Sequence, residues 1–90
     1  MLKVSIITPV YNVEACIGKC VKSVMNQTCR DFEFLLIDDG SKDKSIDIAK
    51  SLLEGSDINY RIITQKNSGV SVARNEGIKQ AVGEYITFLD

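Results

Sequence analysis

An α/β fold built on a parallel sheet is what this sequence of 90 residues predicts. Three observations carry the prediction. Strand-like and helix-like segments alternate three times before a last strand, the order that gives parallel strands joined by crossover helices. Phe32–Ile37 is apolar on both faces except at Glu33, as expected of a strand covered by helices. Three strand ends also close on polar residues: Thr8-Pro9-Val10-Tyr11-Asn12, Asp38-Asp39-Gly40-Ser41 and Asp90. They fall at the carboxyl edge, where open α/β sheets bind ligands.

The first strand is read at Lys3–Pro9, rich in Val and Ile and stopped by the single proline. Val13, Ile17, Cys20, Val21 and Val24 then recur at helical spacing, with Asn12 as the expected cap and Asn26-Gln27-Thr28 as the end. Phe32–Ile37 is the second strand. Ser41 or Asp43 is expected to cap a second helix carrying Ile46, Ala49, Leu52 and Leu53, with Gly55 as its stop. Ile58–Thr64 is the third strand, less cleanly patterned and so expected nearer an edge. Asn67-Ser68-Gly69 opens a third helix, with Val72, Ala73, Ile78 and Ala81 expected to be buried and Gly83 as its end. Glu84–Leu89 is the fourth strand.

Composition narrows the function classes. A net charge of −1 gives no electrostatic case for nucleic acid or an anionic membrane surface. No apolar run approaches the ~20 residues of a membrane helix, and the N-terminus does not read as a signal peptide. Cys16, Cys20 and Cys29 lack the spacing of a disulfide framework, and without histidine a zinc site would need a carboxylate. Reduced thiols in a cytoplasmic protein are the expectation.

The strand ends carry the chemistry. Successive strand residues point to opposite faces, so Asp38 and Asp39 take different parts. One faces the sheet packing and its neighbour reaches over the edge. An ionised carboxylate only accepts hydrogen bonds, which suits imide or ribose donors of a nucleoside. Asp-Gly-Ser is also good turn chemistry, with Gly40 and Ser41 as turn and cap. Thr8, Pro9 and Tyr11 supply a hydroxyl, a fixed backbone and a ring able to stack on a base or to pack over the helix start. Asn67 and Gly69 permit a tight turn before a helix with free amides at its positive end. Arg74, further along that helix, carries a charged fork suited to a diphosphate or carboxylate.

Four stretches together resemble the family 2 glycosyltransferases of GT-A fold. They are Val-Ser-Ile-Ile-Thr-Pro-Val-Tyr-Asn (4–12), Asp-Asp-Gly-Ser-Lys-Asp (38–43), Asn-Ser-Gly-Val-Ser-Val-Ala-Arg-Asn-Glu-Gly (67–77) and Gly-Glu-Tyr-Ile-Thr-Phe-Leu-Asp (83–90). The resemblance implies a Rossmann-like three-layer sandwich with strand order 3-2-1-4. Residues 1–90 would be the N-terminal, nucleotide-sugar-binding part of an inverting enzyme that transfers a sugar from a nucleotide-diphosphate sugar, favouring UDP, to an acceptor hydroxyl. By similarity, Thr8, Pro9 and Tyr11 would line the base and ribose pocket, and Asp39 would accept from the base while Asp38 holds the loop. Ser41, Asn67 and Gly69 would join the nucleotide site, and Arg74 would lie near the diphosphate. Asp90 would be the first aspartate of an Asp-x-Asp motif, whose second aspartate holds Mg²⁺ or Mn²⁺.

That second aspartate and the acceptor half, with its catalytic base, lie outside the sequence, so transfer by the fragment alone is not expected. A longer parent would be cytoplasmic or lie at the cytoplasmic face of the membrane, in polysaccharide biosynthesis. The Tyr85–Leu89 edge, left uncovered, is expected to self-associate. The alternative is an autonomous, non-catalytic nucleotide-binding or interaction module. A receiver-like signalling domain fits poorly, because the acidic pair follows the second strand and not the first. A dinucleotide-binding enzyme lacks its G-x-G-x-x-G after the first strand.

Overall fold

The computed structural model describes residues 3–89. Four strands, β1 (Val4–Val10), β2 (Phe32–Asp38), β3 (Tyr60–Thr64) and β4 (Tyr85–Phe88), alternate with three helices, α1 (Ile17–Met25), α2 (Ser45–Leu53) and α3 (Val70–Gln80). The strands form one sheet in the order β3-β2-β1-β4, and every pairing is parallel. The expected alternation and strand order are thus both present.

Period-two alternation divides the core between the two faces of the sheet. Val10, Phe34 and Leu36 face α1 and α2, where Ile17, Val21, Val24, Ala49 and Leu53 complete a buried cluster. Ile7, Leu35 and Ile37 face α3 and meet Ala73. The result is three layers, with β2 buried along its whole length.

Several boundaries differ from the sequence reading. α1 begins at Ile17 and not beside Val13. Asn12 does not cap it. That residue takes the left-handed conformation, φ 50°, and its Oδ1 instead accepts from the amide of Lys42 at 2.9 Å. Neither Ser41 nor Asp43 is the cap of α2, which follows Lys44. Asp43 comes nearest to that role, accepting from the Ser45 amide at 3.0 Å and the Ser45 hydroxyl at 2.5 Å. α3 stops at Gln80, three residues short of Gly83.

The burial of α3 also departs from expectation. Val72 and Ile78 are 47% and 46% exposed, while Ala73 and Gly77 are buried. The helix meets the sheet through its small residues. A Cβ on Gly77 would lie 2.4 Å from Ile7 Cγ2, so the approach is closer than any side chain allows.

Glu33, the exception in an apolar strand, anchors the turn between α3 and β4. Its Oε2 accepts from the Ser5 hydroxyl at 2.6 Å and the Val82 amide at 2.7 Å, and its Oε1 from Arg61 at 3.3 Å. Ser5 Oγ in turn accepts from the Gly83 amide at 2.9 Å. This network fixes where β4 enters the sheet, at its amino edge.

Candidate functional site

The carboxyl ends of β1 and β2 and the start of α3 enclose a cleft of about 450 Å³. Pro9 and Tyr11 form one wall, and Asn67, Gly69 and Arg74 the other, with Val13 and Val70 beside them and Asp39 between. Tyr11 is 47% exposed, so its ring is open to a flat ligand.

Asp38 and Asp39 diverge as strand alternation requires. Asp38 Oδ1 accepts from the Ser41 amide at 2.8 Å and closes the loop that follows β2. Asp39 turns to the α3 side. Its Oδ1 accepts from Gln65 Nε2 at 2.9 Å and from the Ser68 amide at 2.7 Å, and its Oδ2 from the Gly69 amide at 3.0 Å. Asn67 Nδ2 donates to the Asp39 carbonyl at 3.1 Å. The acid therefore ties the end of β2 to the entry of α3. The bond from Gln65 is the main reason its carboxyl lies below the ordinary value, with the two amides adding and burial opposing.

Two glycines make that close approach possible. Gly40 and Gly69 both have positive φ, 76° and 99°. A Cβ on Gly40 would also meet the Asn67 amide at 3.2 Å. The first-turn amides of α3, beginning at Val70, open at the cleft, a natural seat for an anion. Arg74 brings a permanent positive charge to the same wall, its guanidinium carbon 5.7 Å from the centre of the Phe88 ring.

A second set of bonds holds the Tyr11 side of the cleft. The Ser41 hydroxyl donates to the Val10 carbonyl at 3.2 Å and accepts from the Asn12 amide at 3.2 Å. The Val13 amide donates to Ser45 Oγ at 2.8 Å, and the Glu14 amide to Asp43 Oδ2 at 3.0 Å. The loop after β1 is thus laced to the loop after β2.

Six of the expected site residues share the cleft: Pro9, Tyr11, Asp39, Asn67, Gly69 and Arg74. Asp38 and Ser41 shape its loops. Thr8 is not brought in. Its side chain faces α1 and lines a separate pocket of about 330 Å³, where its buried Oγ1 has no partner among the described residues. Asp90 lies outside the described residues. Gln65 is a site residue to which the sequence assigns no role, since a glutamine before Lys-Asn-Ser-Gly carries no signal of its contact with residue 39.

The described residues do not make a metal site. No group of three candidate ligands comes together among them, and Asp39 already receives three donors.

Comparisons with known proteins agree with this architecture. The family description "Glycosyl transferase family 2" matches residues 5–90. The uncharacterized glycosyltransferase EpsJ of Bacillus subtilis is 48% identical over 87 residues, covering 97% of this chain and 25% of that protein. Glycosyltransferase GlyA of Streptococcus pneumoniae is 43% identical over 90 residues, 98% of this chain and 12% of its own length. Among solved structures, S. aureus TarS 1-349 in complex with UDP-GlcNAc superposes with a TM-score of 0.92 at 32% identity, covering 99% of this chain and 26% of that one. The mannosyltransferase PcManGT of Pyrobaculum calidifontis shares the fold, with a TM-score of 0.87 at 23% identity over 93% of this chain and 26% of that one. The chain spans about a quarter or less of the length of these relatives.

Proposed function

The chain belongs to glycosyl transferase family 2 and has the GT-A fold, and from that membership we propose that residues 1–90 are the donor-binding part of an inverting sugar transferase. The donor is a nucleotide-diphosphate sugar, with uridine as its nucleoside, and the acceptor is a hydroxyl. TarS, 32% identical to this chain, is known in complexes with UDP-GlcNAc and UDP, which supports the uridine assignment.

The observation that carries the reading is the convergence of Tyr11, Asp39, Gly69 and Arg74 on one cleft at the carboxyl edge. Tyr11 stacks on the base, while Asp39, ionised at neutral pH, accepts from a base N–H. The first-turn amides of α3 and the Arg74 guanidinium receive the diphosphate, whose negative charge grows as the sugar leaves. Ser41 acts from behind, by holding the backbone of the loops after β1 and β2. Asp39, the cleft carboxylate among the described residues, already accepts three donors and serves the base. The proposed role of this part is therefore to hold the donor, with deprotonation of the acceptor hydroxyl left to a longer protein.

A Mg²⁺ or Mn²⁺ ion on the diphosphate belongs to the proposal for a longer protein, with Asp90 as one ligand. None of the steps above passes through it. The exposed β4, an edge strand with Tyr85, Ile86 and Phe88 at 61%, 41% and 42% exposure, is proposed to pair with a second copy.

Calorimetric titration with UDP-GlcNAc and UDP, on the chain and on Asp39→Ala, tests the reading. Saturable binding that is lost in the variant, with no sugar transfer to an added acceptor, is expected. Equal binding by both proteins would overturn it.

A further inference from the structure

We propose that Gln65 sets the base preference of the cleft, by filling Asp39 Oδ1 so that the acid offers a base a single acceptor. The inference deepens the proposed donor site and rests on that reading.

A carboxylate has about four lone-pair positions, two on each oxygen. Here Gln65 Nε2 and the Ser68 amide occupy both positions of Oδ1, at 2.9 and 2.7 Å. The Gly69 amide takes one position of Oδ2 at 3.0 Å. One acceptor position remains, on Oδ2. The orientation of the glutamine amide is not free either. Its neighbour only accepts, so the NH₂ must face Asp39 and the carbonyl oxygen must turn away.

Uracil and guanine place different demands on such an acid. The pairing edge of uracil has one N–H between two carbonyl oxygens. It matches a single acceptor, and a second bare carboxylate oxygen would face a carbonyl. Guanine presents two adjacent donors, an N–H and an NH₂, which match a carboxylate with both oxygens open. Against Asp39 as held here, the guanine NH₂ would lose water without gaining a partner, at a cost on the order of tenfold in affinity. Gln65 thus selects through Asp39, as a positioning residue that does not itself touch the base.

The test compares UDP and GDP affinities by calorimetry on the wild-type chain, Gln65→Leu and Gln65→Lys, each checked for folding by its NMR spectrum. Wild type is expected to prefer UDP by about tenfold. Gln65→Leu opens Oδ1 and is expected to bring the two affinities to within about threefold, largely by gaining GDP binding. Gln65→Lys returns a donor to Oδ1 and restores the preference. A purely structural role would weaken both ligands equally, so an unchanged ratio in Gln65→Leu would overturn the inference while leaving the donor site standing. Equal affinities in the wild type would also overturn it. Binding of neither nucleotide by the wild type would remove the donor-site reading and the inference with it.

Discussion

Replacing Glu33 with alanine removes the anchor between β2 and the turn that leads into β4. The carboxylate is 2% exposed and accepts from the Ser5 hydroxyl, the Val82 amide and Arg61. Arg61 is 42% exposed at its side chain, so water replaces its partner at little cost. The Ser5 hydroxyl is fully buried and the bond from the Val82 amide is part-buried, although the Val82 side chain is exposed. Each orphaned donor costs about 1–3 kcal/mol, which places the total near 4 kcal/mol. A domain of this size has roughly 5–13 kcal/mol of stability, so the loss is a large fraction. At about 4–8 °C per kcal/mol the melting temperature falls by roughly 15–30 °C. Circular dichroism melts of wild type, Glu33→Ala and Glu33→Gln measure it. The glutamine keeps one acceptor and is expected to retain more than half of the stability that alanine loses. A fall of less than about 4 °C in the alanine variant would refute the reasoning.

The same residue predicts an acid limb. Burial pushes the Glu33 carboxyl up, but bonds from Ser5, Val82 and Arg61 together outweigh it and leave it below the ordinary 4.5. The folded state then binds fewer protons than the unfolded chain between the two values. This contribution is complete above about pH 4.5 and is lost as the pH falls through the lower folded value. Glu33→Gln is expected to flatten that part of the stability profile.

Gly83→Ala would place a Cβ 2.7 Å from both the amide nitrogen and Oγ of Ser5. Backbone cannot yield there, and a loss of about 2–3 kcal/mol is expected in urea denaturation; a wild-type midpoint would contradict it. Sedimentation velocity across a concentration series is expected to show reversible association of the chain, abolished by Ile86→Lys on β4. A monomer throughout would sink the pairing proposal. In hydrogen exchange, Asp39→Ala is expected to speed exchange of the Ser68 and Gly69 amides while the β1 and β2 amides keep their protection. Unchanged protection at Ser68 and Gly69 would mean that the acid does not hold the α3 entry.

The strand order and the polar ends of β1 and β2 were legible because they rest on local signals: apolar runs, their alternation and the residues that stop them. Asn67 and Gly69 were equally readable, since positive φ and turn chemistry are properties of single residues. The start of α1 was not. The Val13 and Glu14 amides are held by Ser45 and Asp43, contacts that span about thirty positions and leave no periodic trace. α3 misled for another reason. Hydrophobic size marked Val72 and Ile78, whereas its packing face is made of Ala73 and Gly77. A glycine inside a helix costs about 1 kcal/mol relative to alanine, and that unexplained cost was the available hint of close contact. Gln65 and Thr8 show the same limit at the site. Which face a side chain reaches follows from the register, but which partner it meets there does not.

The most direct measurement is an NMR titration of the isotopically labelled chain with UDP, with and without Mg²⁺, repeated on Asp39→Ala. Selective shifts at Tyr11, Asp39, Gly69 and Arg74, saturating in the wild type and absent from the variant, are the predicted result. A well-dispersed spectrum that UDP leaves unmoved, or shifts that fall on the Thr8 pocket and spare Asp39, would contradict the account.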